Sequence, residues 1–136
     1  MFGLILAGFF GCNEKTNTLG EGGEPDFEMV EGTFAYLPME LVKQELEADK
    51  AFYLLDARPS NDYDLDHIVG ADSIPFYDVE LYLEDYPVGN WIVAYCGCPH
   101  SESGIVAQAF IDAGHEKVGI IDEGYLEWKA AGYPIE

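Results

Sequence analysis

Basic residues are scarce in this sequence of 136 residues. Lysine and arginine together number 6 against 26 aspartates and glutamates, which gives a formal net charge of -20. A surface so rich in carboxylates repels phosphate groups, and this argues against binding to nucleic acid or to anionic lipid headgroups. Arg58 is the only arginine, so the chain cannot clamp an anionic substrate between paired guanidinium groups.

An apolar run long enough to span a bilayer is also absent. Residues 1-11, MFGLILAGFFG, are uncharged and almost wholly apolar, but a spanning helix needs about 20 residues. The length is typical of an export signal. The run ends at Gly11-Cys12, which resembles the signal of bacterial lipoproteins, where cleavage precedes a cysteine that then receives the lipid. The alternatives are another export signal, an uncleaved anchor or a buried N-terminal segment.

The lipoprotein resemblance implies an exported protein, anchored through lipid at Cys12 in the bacterial cell envelope and facing the periplasm in a Gram-negative cell. Residues 12-33 are rich in Gly, Glu, Thr and Asn, which bury little surface, so this segment is predicted to be a flexible tether. Residues 34-136 remain for one domain, since domains average about 100 to 200 residues. A content of 49% hydrophobic and 24% charged residues is typical of a globular chain.

Short apolar runs alternate with amphipathic stretches from Leu37 to Pro134. The apolar runs 51-56, 91-95 and 118-121 predict buried strands, and 70-75 reads as a loop with a short strand. Helices are predicted near 38-46, 60-65, 102-113 and 125-131 from apolar spacing and end residues. This alternation predicts an α/β fold of three layers, with a mostly parallel central sheet and helices on both faces.

Cys96 lies between a predicted buried strand and a predicted helix. Ligands bind open α/β sheets at the carboxyl ends of strands, and the loop N–H groups and the helix N-terminus favour negative charge there. A thiolate is therefore stabilised, which predicts Cys96 as a nucleophile. The predicted active-site loop comprises Gly97, Cys98, Pro99, His100, Ser101, Glu102 and Ser103.

Three stretches of the sequence resemble the rhodanese-like sulfurtransferase family. They are Leu55-Asp56-Ala57-Arg58 with Tyr63, His67-Ile68-Val69-Gly70-Ala71 and Ile74-Pro75; Tyr95-Cys96 with Ser103 and Ala107; and Gly124, Trp128, Gly132 and Pro134. The resemblance implies the rhodanese-like fold. It also implies that Cys96 accepts sulfur as a persulfide and passes it on, with thiol or persulfide donors and acceptors as partners and no cofactor.

The loop departs from the family pattern at its end. Glu102 stands where an arginine is common, and five residues separate it from Cys96 where the sulfurtransferases usually have four. The related phosphatases and arsenate reductases share the longer loop but rely on that arginine. A glutamate repels phosphate, arsenate and thiosulfate, so we expect weak thiosulfate turnover. A rhodanese-fold binding or scaffold module with little catalysis is the alternative function.

Cys98 is the second departure, in Cys96-Gly97-Cys98-Pro99-His100. Two thiols one residue apart allow a persulfide on one to be resolved by the other. They also allow binding of Cu(I) or Zn with His100, although a fourth ligand is not evident and no metal is predicted. Cys98 as a passive loop thiol is the third interpretation.

The remaining site candidates are interpreted as supporting residues. Asp56 and Arg58 form a charge pair at a predicted strand end, a pattern that usually joins a loop to a sheet. His67 is interpreted as a buried hydrogen-bonding residue that fixes the loop before Gly70. His115 follows the glycine that ends a predicted helix, and we expect it to be exposed.

Overall fold

The computed structural model describes residues 19-136. Cys12 and the predicted export signal at 1-11 lie outside the described residues. The strands are β1 (Ala35–Leu37), β2 (Phe52–Asp56), β3 (Asp72–Ser73), β4 (Trp91–Tyr95) and β5 (Val118–Ile121). The helices are α1 (Met39–Glu47), α2 (Ser60–Leu65), α3 (Ser101–Asp112) and α4 (Gly124–Ala130), and two 3-10 helices, Phe76–Leu81 and Leu83–Asp85, connect β3 to β4.

The five strands form one sheet in the order β1-β5-β4-β2-β3. Every pair of neighbours is parallel, which confirms the predicted α/β architecture. β4 is central: its Val93 pairs with Leu54 of β2, and its Ile92 pairs with Val118 of β5. The residue that follows β4, Cys96, therefore lies at the middle of the carboxyl edge of the sheet.

Two apolar clusters lie on the two faces of the sheet. Side chains alternate along β4, so that Val93 and Tyr95 belong to one cluster while Ile92, Ala94 and Cys96 belong to the other. The first cluster includes Val42 of α1 and Trp128 of α4, and the second includes Val106, Ala107 and Phe110 of α3. Helices thus cover both faces, and Cys96 shares a face with α3.

Residues 19-27 differ from the predicted tether. The Phe27 side chain is 9% exposed, and its ring lies edge-on to Phe52 and Trp91, with centroids 5.2 and 5.3 Å apart. The backbone is also paired: the Ala51 N–H donates to the Gly23 carbonyl at 2.8 Å. One buried aromatic ring and these hydrogen bonds attach residues 19-27 to the domain, so the tether prediction does not hold for them, whereas residues 28-33 are exposed.

His115 also differs from its expected position, because it is 3% exposed. Gly114 adopts a φ of 106° and turns the chain back, so that the His115 ring packs edge-on to Phe110 at 5.1 Å. Its Nδ1 is buried and has no hydrogen-bond partner in the described chain. Burial lowers the pKa of His115, and a backbone hydrogen bond to Tyr86 offsets part of that effect.

No helix within residues 19-136 combines the length and the apolar content that crossing a membrane requires.

Candidate active site

Cys96 lies directly after β4 and is 1% exposed. Its Sγ lies 3.3 Å from Ser103 Oγ and donates a hydrogen bond to the Cys98 carbonyl oxygen at 2.7 Å. Ser103 is fully buried in the first turn of α3, and its hydroxyl also donates to the Pro99 carbonyl at 3.3 Å. The fold therefore brings Ser103 and the carbonyl of Cys98 to the sulfur of Cys96.

The partners of the Cys96 sulfur include a backbone carbonyl oxygen. A carbonyl oxygen at 2.7 Å accepts a proton from S–H but repels a thiolate. We expected loop N–H groups at this sulfur, and neither of the two hydrogen bonds above comes from one. Pro99 has no N–H to offer. A negatively charged sulfur would be accommodated better with the carbonyl of Cys98 turned away from Sγ.

The start of α4 packs against the same loop. The Tyr125 N–H donates to the Cys96 carbonyl at 2.8 Å. Gly124 has a φ of 85°, and a Cβ at this position would lie 3.0 Å from the Gly97 oxygen and 3.2 Å from the Cys96 oxygen. Only glycine fits this conformation and this close approach without displacing the loop backbone.

Arg58 and Asp56 form a buried ion pair beside the loop. Asp56 is fully buried and Arg58 is 8% exposed, and Arg58 Nη2 lies 2.7 Å from Asp56 Oδ2. The Tyr95 hydroxyl donates to the same oxygen at 2.7 Å. Burial and the charge of Asp56 raise the pKa of Tyr95, so its hydroxyl stays protonated and remains a donor.

The Arg58 side chain also connects the loop to the helices around it. Its guanidinium lies 4.0 Å above the Tyr125 ring and donates to the Asp66 carbonyl at 2.7 Å. Its Cδ lies 4.0 Å from the position that a Cβ on Gly97 would occupy. These contacts agree with the predicted joining role. They leave the single guanidinium bound to a carboxylate rather than directed at the sulfur.

Glu102 adds negative charge to the first turn of α3. Partial burial and the charges of Asp62 and Asp56 raise the pKa of Glu102, and Arg58 opposes them. These interactions require Glu102 to lie within electrostatic range of the buried ion pair. An acidic residue therefore borders the site.

His100 is fixed at the surface of the loop. Its Nε2 lies 2.8 Å from Asp122 Oδ1 and 3.1 Å from the Asp122 carbonyl oxygen, and its ring lies 4.7 Å from the ring of Tyr36. Asp122 and Tyr36 were not predicted as site residues. Asp122 directly follows β5, which neighbours β4, so the rule that sites form at carboxyl ends of strands is the signal that points to it.

Cys98 and Ser101 are exposed on the outer side of the loop. Cys96 and Cys98 are both free thiols. The two sulfur atoms therefore differ in access, one buried beneath the loop and the other open to solvent.

His67 lies in a separate network. Its Nδ1 lies 2.8 Å from the Tyr63 carbonyl, its ring stacks on Tyr63 at 3.7 Å, and its backbone pairs with that of Glu136. These contacts fix the segment before Gly70, although His67 is half-buried rather than buried, and none of them is with residues 96-103.

Comparison with known proteins gives one consistent family. The rhodanese-like domain profile matches residues 39-131. A curated relative, the HTH-type transcriptional regulator Rv0324 of Mycobacterium tuberculosis, is 37% identical over 84 residues, which cover 61% of this chain and 37% of that protein. The chain thus spans only about a third of that relative.

Solved structures of rhodanese-like proteins also superpose on this chain. The rhodanese-like domain of the Anabaena protein Alr3790 superposes with a TM-score of 0.68 at 29% identity, covering 74% of this chain and 77% of that one. A thiosulfate sulfurtransferase from Pseudomonas aeruginosa gives a TM-score of 0.66 at 26% identity, covering 76% of this chain and 20% of that one.

Proposed function

The chain belongs to the rhodanese-like domain family, and from this premise we propose that it is a sulfurtransferase whose Cys96 carries sulfur as a persulfide. The position of Cys96 supports this function. Its sulfur lies after the central strand and against Ser103 in the first turn of α3. Helix N-termini favour negative charge, and both the thiolate and the outer sulfur of a persulfide are anionic.

The reaction follows from this geometry. The Cys96 thiolate attacks the outer sulfur of a donor, a Cys96 S–S bond forms, and the donor leaves with the electron pair of the bond that breaks. The Ser103 hydroxyl, which donates to the Pro99 carbonyl, rotates its proton toward the charged sulfur. An acceptor thiolate then attacks the outer sulfur and regenerates the Cys96 thiolate.

Mass spectrometry of the loaded protein tests this function. After reaction with a low-molecular-weight persulfide donor, the peptide containing Cys96 should gain the mass of one sulfur atom. Cys96→Ser should abolish sulfur transfer to cyanide or to a thiol, and Cys12→Ser is the matched control. Full transfer by Cys96→Ser would show that Cys96 is not the nucleophile.

A binding or scaffold module without turnover is the second candidate. The carbonyl of Cys98 against Sγ, the missing N–H of Pro99 and the acidic Glu102 favour it. The rate of Cys96 alkylation separates the two functions. A rate no faster than that of an unstructured cysteine peptide at the same pH supports the module, and a faster rate supports catalysis.

Anchoring in the cell envelope through lipid at Cys12 is the further part of the proposal, and the apolar run before Gly11-Cys12 supports it. Labelling of cells with a fatty-acid analogue should mark the protein, and Cys12→Ala should remove the label while Cys98→Ala keeps it. Label that persists in Cys12→Ala would contradict the anchor. Exported thiols become oxidised, so this location also requires a reducing partner for Cys96.

A further inference from the structure

The two loop thiols differ sharply in access although they lie two residues apart. Cys96 is 1% exposed, while Cys98 is exposed. The Cys96 sulfur lies 2.7 Å from the carbonyl oxygen of Cys98, so the backbone of residue 98 borders the buried sulfur. A persulfide on Cys96 extends by about 2 Å, the length of one S–S bond. With that extension the outer sulfur stays close to the loop, where a thiol on a peptide or protein does not reach it.

The same loop carries an imidazole that is held by a neighbouring carboxylate. His100 is two residues after Cys98, and its Nε2 lies 2.8 Å from Asp122 Oδ1. A carboxylate accepts, so this contact assigns the ring proton to Nε2 and leaves Nδ1 with a lone pair in the neutral ring. Tyr36 packs against the ring at 4.7 Å and restricts its rotation. The loop therefore carries a positioned proton acceptor at its surface.

We propose that Cys98 is the exit thiol of a two-cysteine relay, in which it takes sulfur from Cys96 and delivers it to a thiol on a peptide or protein. This inference rests on the proposed function of Cys96. It assigns a role to the second cysteine and to His100, and it names an acceptor class that the burial of Cys96 would otherwise exclude.

The relay balances without an added oxidant or reductant. His100 Nδ1 takes the proton of the Cys98 thiol, and the Cys98 thiolate attacks the outer sulfur on Cys96. The S–S bond on Cys96 breaks as the S–S bond on Cys98 forms, and its electron pair returns to the Cys96 sulfur. The acceptor thiolate next attacks the outer sulfur on Cys98, so that the acceptor leaves as a persulfide and Cys98 is again a thiolate.

Transfer from the loaded protein tests the relay. The full chain is loaded with isotopically labelled sulfur from a small persulfide donor, freed of donor, and mixed with a cysteine-containing peptide. In the wild type, fragmentation of the peptide that contains both cysteines should locate label on Cys96 and on Cys98 before it reaches the acceptor. In Cys98→Ser the label should accumulate on Cys96 and transfer should be lost, whereas the control Cys12→Ser should transfer as the wild type does.

The histidine is tested by the same assay. His100→Gln should slow delivery about 100-fold, the lower end of what a positioned general base contributes, and His67→Gln is the matched control outside the loop. Asp122 acts through His100 as a positioning residue, so Asp122→Asn should change the pH profile of delivery. An unaltered pH profile in Asp122→Asn would overturn the role of the pair.

The outcomes separate the relay from the function on which it rests. Transfer from Cys98→Ser at the wild-type rate overturns the relay and leaves sulfur transfer by Cys96 intact. A Cys96–Cys98 disulfide formed with release of sulfide overturns the relay in favour of thiol exchange. A wild-type protein that takes no label on Cys96 overturns both proposals.

Discussion

Gly124 is the residue at which stability and site geometry can be separated most clearly. It has a φ of 85°, and an added Cβ would lie 3.0 Å from the Gly97 oxygen, 3.2 Å from the Cys96 oxygen and 3.3 Å from the Pro99 Cα. All three atoms belong to the backbone of the active-site loop. Gly124→Ala must therefore displace that loop by a few tenths of an ångström.

Gly132 provides the matched control. Its φ is 75°, and a Cβ there would meet nothing within 4 Å. Alanine at either position costs about 1 to 2 kcal/mol, because L residues are strained in the left-handed region. We expect both variants to lose stability by that amount in urea unfolding. We expect only Gly124→Ala to lose activity as well, because it displaces the backbone around Cys96. A misplacement of about 1 Å at a reacting group costs about 100-fold in rate, so a shift of a few tenths of an ångström should cost less than that.

The measurement is the rate of sulfur loading on Cys96 in the two variants, with their unfolding curves recorded in parallel. A large deficit in Gly124→Ala, with near-normal loading in Gly132→Ala, is the expected result. Equal loading rates in the two variants would refute the inference that the start of α4 sets the position of the loop.

Three further predictions follow from buried and acidic groups. Asp56→Asn leaves the Arg58 charge buried without its counter-ion, so the free energy of unfolding in urea should fall by about 3 to 5 kcal/mol; a loss below about 1 kcal/mol would contradict the buried pair. Glu102→Gln should raise the rate with thiosulfate relative to a neutral sulfur donor, and an unchanged ratio would show that Glu102 does not repel anionic donors. Burial lowers the pKa of His115 in the folded state below its unfolded value of about 6.5. The unfolded state therefore binds more protons at acidic pH, and the free energy of unfolding should decrease as the pH falls below about 6.5. His115→Gln should remove that part of the pH dependence between about pH 7.5 and 5.5, and identical slopes in the two proteins would refute it.

Most of the sheet could be predicted, because strands that are buried on both faces appear in the sequence as continuous apolar runs. The runs at 91-95 and 118-121 coincide with β4 and β5. β1 was not predicted, since a strand of three residues with Tyr36 exposed at the sheet edge carries too little pattern. The packing of residues 19-27 was missed for a related reason: it depends on one aromatic ring, Phe27, whose pocket is built by distant residues.

Parts of the candidate site were predictable in the same way. Cys96 follows from its position between a strand and a helix, and Ser103 from the resemblance to the rhodanese-like family. The contacts of His100 with Asp122 and Tyr36 do not, because they join residues far apart in sequence. Their positions depend on which strands are neighbours in the sheet, and the order β1-β5-β4 is not written in any local pattern.

The sequence by itself determined the parallel α/β architecture, the place of Cys96 after a buried strand and the scarcity of positive charge, since these depend on composition and on local periodicity. The tertiary structure decided what surrounds the thiol. It set the carbonyl of Cys98 against Cys96 Sγ, held the only arginine on Asp56, and left Cys98 exposed while Cys96 is buried. The physical reason is that hydrogen bonding and access to solvent depend on distances between residues, and only the packing of the sheet and helices sets those distances.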